Sequence, residues 1–266
     1  MLAIRCGVAL EDSRLNSQLD WFVLSAEPNP NLSDTAPVNT FNSTAELHIF
    51  TSNTAINIFI QLWGTHFKSG FNLTSGQHPM AVGVGSVTDT AVQNLANLET
   101  SLQWQFPNMK GDEPRSNGLQ WTLERLEQLG LIPGANIHLW TKTNSTSERI
   151  LNSFRSSRHW SRWQVHTQEI YSLVLTNQTP PKHVAEALES NMPVCFGVKS
   201  AEVLEATITH LLKYLGLKTA AQLPSKVRFC AWEKSALQRA QELFLQPRLM
   251  PFNEFEKLIA AIELNS

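Results

Sequence analysis

The sequence predicts an α/β protein built from two similar lobes, and three observations carry that prediction. First, a strand-like apolar run twice ends in a small-polar turn that opens a helix. Leu47-His48-Ile49-Phe50 runs into Thr51-Ser52-Asn53-Thr54-Ala55, and Val194-Cys195-Phe196 runs into Gly197-Val198-Lys199-Ser200-Ala201. Second, the pattern recurs beyond each copy. Met80-Ala81-Val82-Gly83-Val84 runs into Gly85-Ser86-Val87-Thr88, and Arg228-Phe229-Cys230-Ala231-Trp232 runs into Glu233-Lys234-Ser235. Third, the spacing is kept: Phe196 stands 146 positions after Phe50, and Glu233 stands 148 after Gly85. Small-molecule sites in α/β sheets lie at the carboxyl ends of strands. Two lobes with facing strand ends are therefore expected to form a cleft.

Met1 to Cys6 reads as a buried strand and Asp20 to Ala26 as another, with Trp21-Phe22-Val23-Leu24 as its apolar part. Glu27 to Thr44, with Pro28, Pro30 and Pro37 among Asn, Ser and Thr, has the composition of a linker. From Glu46 to about Asn177 the chain reads as strand–helix units. The helix after Ser52 carries Ile56, Phe59, Ile60 and Trp63 on one face, and the helix after Ser86 carries Ala91, Val92, Leu95 and Leu98. Ser86 with Asp89, Ser145 with Glu148, and Ser235 with Gln238 have capping-box spacing. Phe106 to Ser116 reads as a loop, Leu119 to Leu129 as a helix ended by Gly130, and Ala135 to Trp140 as a strand. Gln164 to Thr176 is β-rich and leads into a return linker, after which Thr179 is expected to cap a helix starting at Pro180. Phe252 to Leu264 closes the chain as a helix.

A chain of 266 residues holds two modest domains, and a net charge of −2 argues against a general nucleic-acid binder. No apolar run is long enough to span a bilayer. The N-terminus lacks the basic-then-apolar order of a signal peptide. Cys6, Cys195 and Cys230 all fall in predicted strands, so they read as core residues of a cytoplasmic protein.

Several chemistries lack their residues. No Gly-x-x-x-x-Gly-Lys-Ser/Thr loop occurs, and Gly83-Val84-Gly85 has Thr88 where a dinucleotide fingerprint has its third glycine. No cysteine pair has zinc spacing and no histidine pair flanks a helical Glu, so no metal site is expected. No Gly-x-Ser-x-Gly elbow is present. What remains is a set of polar helix starts: Thr51, Ser52, Asn53 and Thr54; Gly85, Ser86 and Thr88; Lys199 and Ser200; Lys234 and Ser235. Backbone N–H groups and hydroxyls at a helix start bind carboxylates. Each hydroxyl alone reads as a cap, whereas four such turns at matching strand ends read as a site for a polyanion. Tyr171, one of two tyrosines, falls between the lobes. Its phenol could donate a proton in a cleft or simply pack, and both readings stand. Tyr214, on an apolar helix, reads as structural.

Some of these segments resemble the uroporphyrinogen-III synthases. Phe50-Thr51-Ser52-Asn53-Thr54-Ala55-Ile56 is similar to that family's Phe-Thr-Ser-x-x-Ala-Val motif, and Val84-Gly85-Ser86-Val87-Thr88-Asp89-Thr90-Ala91 to its Val-Gly-x-x-Thr-Ala-x-Ala. Glu169-Ile170-Tyr171 stands where the family has a Val-Tyr linker segment, and Ser116-Asn117-Gly118-Leu119 resembles its Ser-Glu-Gly-Leu helix start. The resemblance implies two flavodoxin-like lobes with parallel sheets joined by a two-stranded linker. Residues 1–35 with 178–266 would form lobe 1, residues 45–166 an inserted lobe 2, and 36–44 and 167–177 the linkers. It implies a monomeric, cofactor-free lyase of heme and porphyrin biosynthesis. Such an enzyme cyclises hydroxymethylbilane, a linear tetrapyrrole with eight carboxylates, to uroporphyrinogen III, losing water and inverting the last pyrrole. Loss of hydroxide leaves an azafulvenium-like cation, and the protein must bend the chain for attack through a spiro intermediate. The polar helix starts would hold the carboxylates and Tyr171 would be the acid.

The second copy departs from the motifs. Phe196-Gly197-Val198-Lys199-Ser200-Ala201 stands for Phe-Thr-Ser-Pro-Ser-Ala, and Trp232-Glu233-Lys234-Ser235-Ala236-Leu237 for Ile-Gly-Pro-Thr-Thr-Ala. Thr141-Lys142 replaces an Arg-Gly. Glu233 would repel carboxylates unless Lys234 or Arg239 pairs with it. An alternative reading follows: a catalytically impaired homologue that binds a tetrapyrrole or a partner. A periplasmic-type solute-binding protein is a third, which the lack of an export signal disfavours.

Overall fold

The computed structural model describes residues 1–9, 19–29, 47–67, 78–84, 86–98, 103–109, 118–130, 136–143, 164–243 and 245–264. The expected linker 36–44, the Ser145–Glu148 box, Gly85 and Ser116-Asn117 lie outside them. The chain divides into two compact units, Met1–Ala26 with Leu173–Ser266, and Glu27–Ser172.

The inserted unit holds strands β3 (Leu47–Phe50), β4 (Met80–Gly83), β5 (Asn136–Lys142) and β6 (Gln164–Leu175, to Ser172) and helices α1 (Asn53–Leu62), α2 (Ser86–Val92) and α3 (Gly118–Gln128). Its strands lie in the order β4-β3-β5-β6, and every neighbouring pair is parallel. Strand alternation sorts the side chains onto two faces. Leu47, Ile49, Ile137 and Leu139 pack with Leu119, Leu123 and Leu126 of α3. His48, Phe50, His138 and Trp140 face the aromatic side chains of Phe59, Phe67 and Trp104. Burying His48 at 0 % exposure would cost free energy if its ring were unpaired, but Trp140 Nε1 donates to His48 Nδ1 at 3.1 Å.

The other unit holds β1 (Leu2–Ala9), β2 (Asp20–Pro28, to Ala26), β7 (Val194–Val198) and β8 (Val227–Ala231). Its helices are α4 (Lys182–Glu189), α5 (Ala201–Leu215), α6 (Lys234–Glu242) and α7 (Phe252–Glu263). Its strand order, β2-β1-β7-β8, is again all parallel. Ile4, Trp21, Phe196, Phe229, Leu204 and Leu211 lie in one core, and Cys195, Cys230, Met250 and Phe255 in a second. All three cysteines are free and buried. Burial pushes the thiols of Cys6 and Cys195 up to about 12 and that of Cys230 to about 11, so they stay protonated and act as small apolar residues.

The repeat seen in the sequence is a repeat of structure. Phe50 pairs with Gly83 as Val198 pairs with Ala231, Ser52 caps α1 as Ser200 caps α5, and α2 begins at Ser86 as α6 begins at Lys234. Both members of each match differ by 148 positions. The strand after Pro193 runs on to Val198, so the second turn starts at Lys199, two residues later than expected.

Other expectations are corrected. Helix α4 begins at Lys182 with Pro181 at its N-cap, not at Pro180. A residue preceding proline is pushed out of the helical region, which excludes Pro180. Glu233, not Ser235, occupies the N-cap of α6, with no side-chain cap bond, and Gln238 bonds Glu242. Asp89 does not complete a box, because its Oδ1 accepts the Gly83 N–H at 3.3 Å. Gly83 cannot carry a side chain: a Cβ there would lie 2.2 Å from the backbone of Thr88 and Asp89.

The chain passes between the units within β2 and β6. Within the inserted unit, the Asn29 N–H donates to the Ile170 carbonyl at 2.9 Å and Asn29 Nδ2 to that of Glu169. Within the other unit, the Thr176 N–H donates to the Val23 carbonyl at 3.2 Å and its hydroxyl to that of Phe22. Numbers rise along β2 as they fall along β6, so these bonds belong to an antiparallel pairing.

Candidate functional site

Each unit has a point where its strand order reverses: between β3 and β5 in the inserted unit, and between β7 and β1 in the other. In open α/β sheets a ligand crevice lies at such a point, outside the strands' carboxyl ends. In the inserted unit that edge carries Thr51 to Thr54 after β3 and Thr141 to Thr143 at the end of β5. The turn into α2 follows β4, the neighbour of β3, on the same edge.

Thr51 to Thr54 are all half-buried. The Thr51 N–H and hydroxyl both donate to the Trp140 carbonyl at 3.1 Å, tying the turn to β5. Ser52, in extended backbone, accepts the Ala55 N–H at 3.1 Å and so caps α1. The same Oγ lies 3.0 Å from the Tyr171 hydroxyl. Tyr171 is 5 % exposed. Its position follows from a register shift: Thr141 pairs with Glu169 and Lys142 with Tyr171, so β6 carries an extra residue. Thr143 then holds the Tyr171 carbonyl, with its N–H at 2.8 Å and its hydroxyl at 3.3 Å. Thr143 was not marked by sequence reasoning. The polar run Thr141-Lys142-Thr143 closing an apolar strand was the available signal.

The other expected site residues are placed differently. Gly85 lies outside the described residues, and Ser86 is the first residue of α2. Thr88 is buried at 8 % exposure, its backbone against Gly83. Ser200 caps α5, with its Oγ accepting the Val203 N–H at 3.4 Å. Lys199 is exposed, and Lys234 and Ser235 are exposed on the first turn of α6. Glu233 does have a cationic partner, but it is Lys199, at 3.6 Å, rather than Lys234 or Arg239. Arg239 is engaged by Glu205 and Glu242. With both partners of the Lys199–Glu233 pair largely exposed, the pair adds little stability.

Electrostatics separates the four helix starts. Asp89 lies in the first turn of α2, Glu202 in that of α5, and Glu233 at the N-cap of α6. Each carboxylate already occupies the positive end of its helix and disfavours a second anion. Burial raises the pKa of Asp89, opposed by the Gly83 N–H. The first turn of α1 has no acidic residue. Of the four starts it is the one whose N–H groups face no carboxylate of their own helix, and it is the one that Tyr171 adjoins. Among the described residues no group of three or more His, Cys, Asp or Glu could hold a metal ion, and no helix is long and apolar enough to cross a membrane.

No family model matches the chain, and no curated protein matches it by sequence. Solved structures do match. The uroporphyrinogen-III synthetase from Helicobacter pylori superposes with a TM-score of 0.57 at 10 % identity, covering 98 % of this chain and 100 % of that one. A mutant uroporphyrinogen III synthase from the extremely thermophilic bacterium Thermus thermophilus gives a TM-score of 0.43 at 13 % identity, with 98 % of each chain covered. The two-lobed α/β architecture, the repeated strand order and the full-length superposition on the Helicobacter protein lead to one conclusion: this chain has the fold of a uroporphyrinogen-III synthase.

Proposed function

We propose that the protein is a uroporphyrinogen-III synthase, a lyase that closes hydroxymethylbilane to uroporphyrinogen III with loss of water and inversion of the last pyrrole. The observation that carries this reading is the 3.0 Å contact between Tyr171 and Ser52 at the acid-free start of α1. A phenol lies there beside N–H groups suited to a carboxylate. The shared fold and the motif resemblance support the substrate class.

In this reading a carboxylate of the substrate sits at the N-terminus of α1, against the backbone N–H groups and the Thr54 hydroxyl. Thr51, Ser52, Asn53 and Thr54 carry the binding. The Tyr171 hydroxyl gives its proton to the departing hydroxyl as the C–O bond breaks, and water leaves. The substituted carbon of the terminal pyrrole then attacks the azafulvenium cation and becomes a spiro centre. Its older bond, to the neighbouring methylene, breaks, and that methylene re-bonds at the pyrrole's unsubstituted α-carbon, which inverts the ring. The hydrogen on that carbon is lost as a proton as the pyrrole recovers its aromaticity, and it returns to the phenolate, so the enzyme ends unchanged. No cofactor is needed and the enzyme acts as a monomer in the cytoplasm.

A second reading, an impaired homologue that binds a tetrapyrrole or a partner, is favoured by Glu233 at the N-cap of α6. The isomer assay separates them. Hydroxymethylbilane incubated with purified protein is expected to yield the III isomer, and Tyr171→Phe is expected to lower the rate on the order of a hundredfold with an unchanged circular dichroism spectrum. Only the I isomer, the product of spontaneous closure, would refute the synthase reading. Full turnover by Tyr171→Phe would refute the role of Tyr171.

A further inference from the structure

We propose that Asn29 and Thr143 are positioning residues for Tyr171: together they clamp the extra residue of β6 and so hold the phenol on the face of the sheet where α1 begins. The inference deepens the synthase reading and rests on it for its catalytic meaning, whereas the clamp itself can be tested without substrate.

Side-chain alternation shows what the extra residue does. On β5, His138 and Trp140 belong to the face that α1 covers, and Leu139 to the face that α3 covers. Directly paired residues of neighbouring strands share a face. His166, paired with His138 and in ring contact with it, and Gln168, paired with Trp140, therefore take the α1 face. Counting on by twos puts Ile170 on that face and Tyr171 on the other. The register shift reverses this. Tyr171 pairs with Lys142, two residues after Trp140, and so returns to the α1 face, where its hydroxyl meets Ser52 at 3.0 Å. A change of register by one residue turns a side chain over, and bulges re-aim side chains in this way. Whichever oxygen of the pair donates, the contact depends on the bulge.

A bulge interrupts the strand ladder, and its backbone groups need other partners when they are buried. Ile170 and Tyr171 are both buried. The three successive carbonyls of residues 169–171 are met by two residues. Asn29, itself buried, donates its side-chain amide to the Glu169 carbonyl at 2.9 Å and its N–H to that of Ile170 at 2.9 Å. Thr143 donates its N–H to the Tyr171 carbonyl at 2.8 Å and its hydroxyl to the same oxygen at 3.3 Å. Thr143 follows β5 on one side of β6, and Asn29, also of the inserted unit, grips the bulge from the other. These bonds hold main chain, so what they fix is where the ring stands.

Substitution separates the parts of the clamp. Thr143→Val keeps the main-chain bond and removes the hydroxyl, Thr143→Ser keeps both, and Asn29→Ala removes the bond to Glu169 while its N–H remains. With circular dichroism monitoring the fold, kcat and KM for the III isomer are measured on the full chain. Asn29→Ala and Thr143→Val are each expected to lower kcat about tenfold with KM unchanged, and Thr143→Ser to match the parent. In a Tyr171→Phe background the same two changes should cost nothing further, because a residue that acts through the phenol has nothing left to place. Parental turnover in both variants, or an equal loss in the Tyr171→Phe background, overturns the proposal. Should Asn29→Ala not fold, Thr143→Val decides by the same criteria. Failure of the synthase reading would appear as the I isomer from the parent protein, and the clamp is then read without substrate. Tyr214→Phe leaves Tyr171 as the one tyrosine of the full chain, and the NMR signal of a Cζ-labelled tyrosine reports its surroundings. Asn29→Ala and Thr143→Val should move that signal and Thr143→Ser should not. A signal unmoved by both, with the fold intact, removes the clamp.

Discussion

At the scale of single residues, the inserted unit carries a row of three histidines across three strands, His48 on β3, His138 on β5 and His166 on β6. His138 is 6 % exposed and stacks on Trp140 with ring centroids 4.9 Å apart. Burial, reinforced by the neighbouring His166, lowers its pKa to about 4. His48 and His166 are the titratable rings against it. A group whose folded pKa lies below its unfolded value is protonated first in the unfolded chain. Stability contributed by a neutral His138 is therefore intact above about pH 6.5 and lost as pH falls toward 4, by about 3 kcal/mol in all. Urea midpoints at about pH 7 and about pH 4.5 should differ less in His138→Phe than in the parent. Equal differences would remove His138 as the cause. Sequence reading took Leu47 to Phe50 as an apolar run and did not single out its histidine. A buried histidine is marked by its neighbours across the sheet, which no local pattern contains. Tyr171 was legible because its motif neighbours were. Its hydrogen bond was not, since Ser52 lies over a hundred positions away.

At the scale of elements, helix starts were the most informative signal and also where reading went astray. Ser52 and Ser200 cap their helices, whereas Ser235 sits one residue inside α6 behind Glu233. Spacing to a glutamine three positions on cannot tell a cap from a first-turn residue, because both fit the same interval. The difference is measurable. Ser200→Ala should cost about 1 kcal/mol, while Ser235→Ala, exposed and bonded to no helix end, should change stability by less than about 0.5 kcal/mol. Similar losses from the two, in chemical denaturation, would contradict the assignment of the α6 cap. Strands were read more securely. The expected segments at Asp20, Gln164 and Ala135 all correspond to strands, with ends moved by one or two residues.

At the scale of the whole molecule, the repeat has a feature that a constant offset does not reveal. Read from β4, the inserted unit runs β4-β3-β5-β6; read from β8, the other runs β8-β7-β1-β2. Strands β1 and β2 thus hold the places of β5 and β6, although they come first in the chain. The sequence comparison found β3 and β4 again as β7 and β8, and missed the other pair because the chain order is permuted. The inserted unit has its own core and sends both its ends into hydrogen-bonded partners, Asn29 and Ile170. Residues 27–172 expressed alone should therefore unfold cooperatively, as followed by the near-ultraviolet dichroism of its buried tryptophans. A broad, non-cooperative loss would show that its order is borrowed. The same topology sets a schedule for synthesis. Strand β1 leaves the ribosome first, yet its partner β7 is made after an excursion of about 150 residues, whose closure alone carries a length-dependent cost of about 4 kcal/mol. If the excursion folds before β7 arrives, its tied ends remove most of that separation. The first-made strands then wait as an unpaired edge for the last-made ones, and the nascent chain is most exposed to misassembly during that interval.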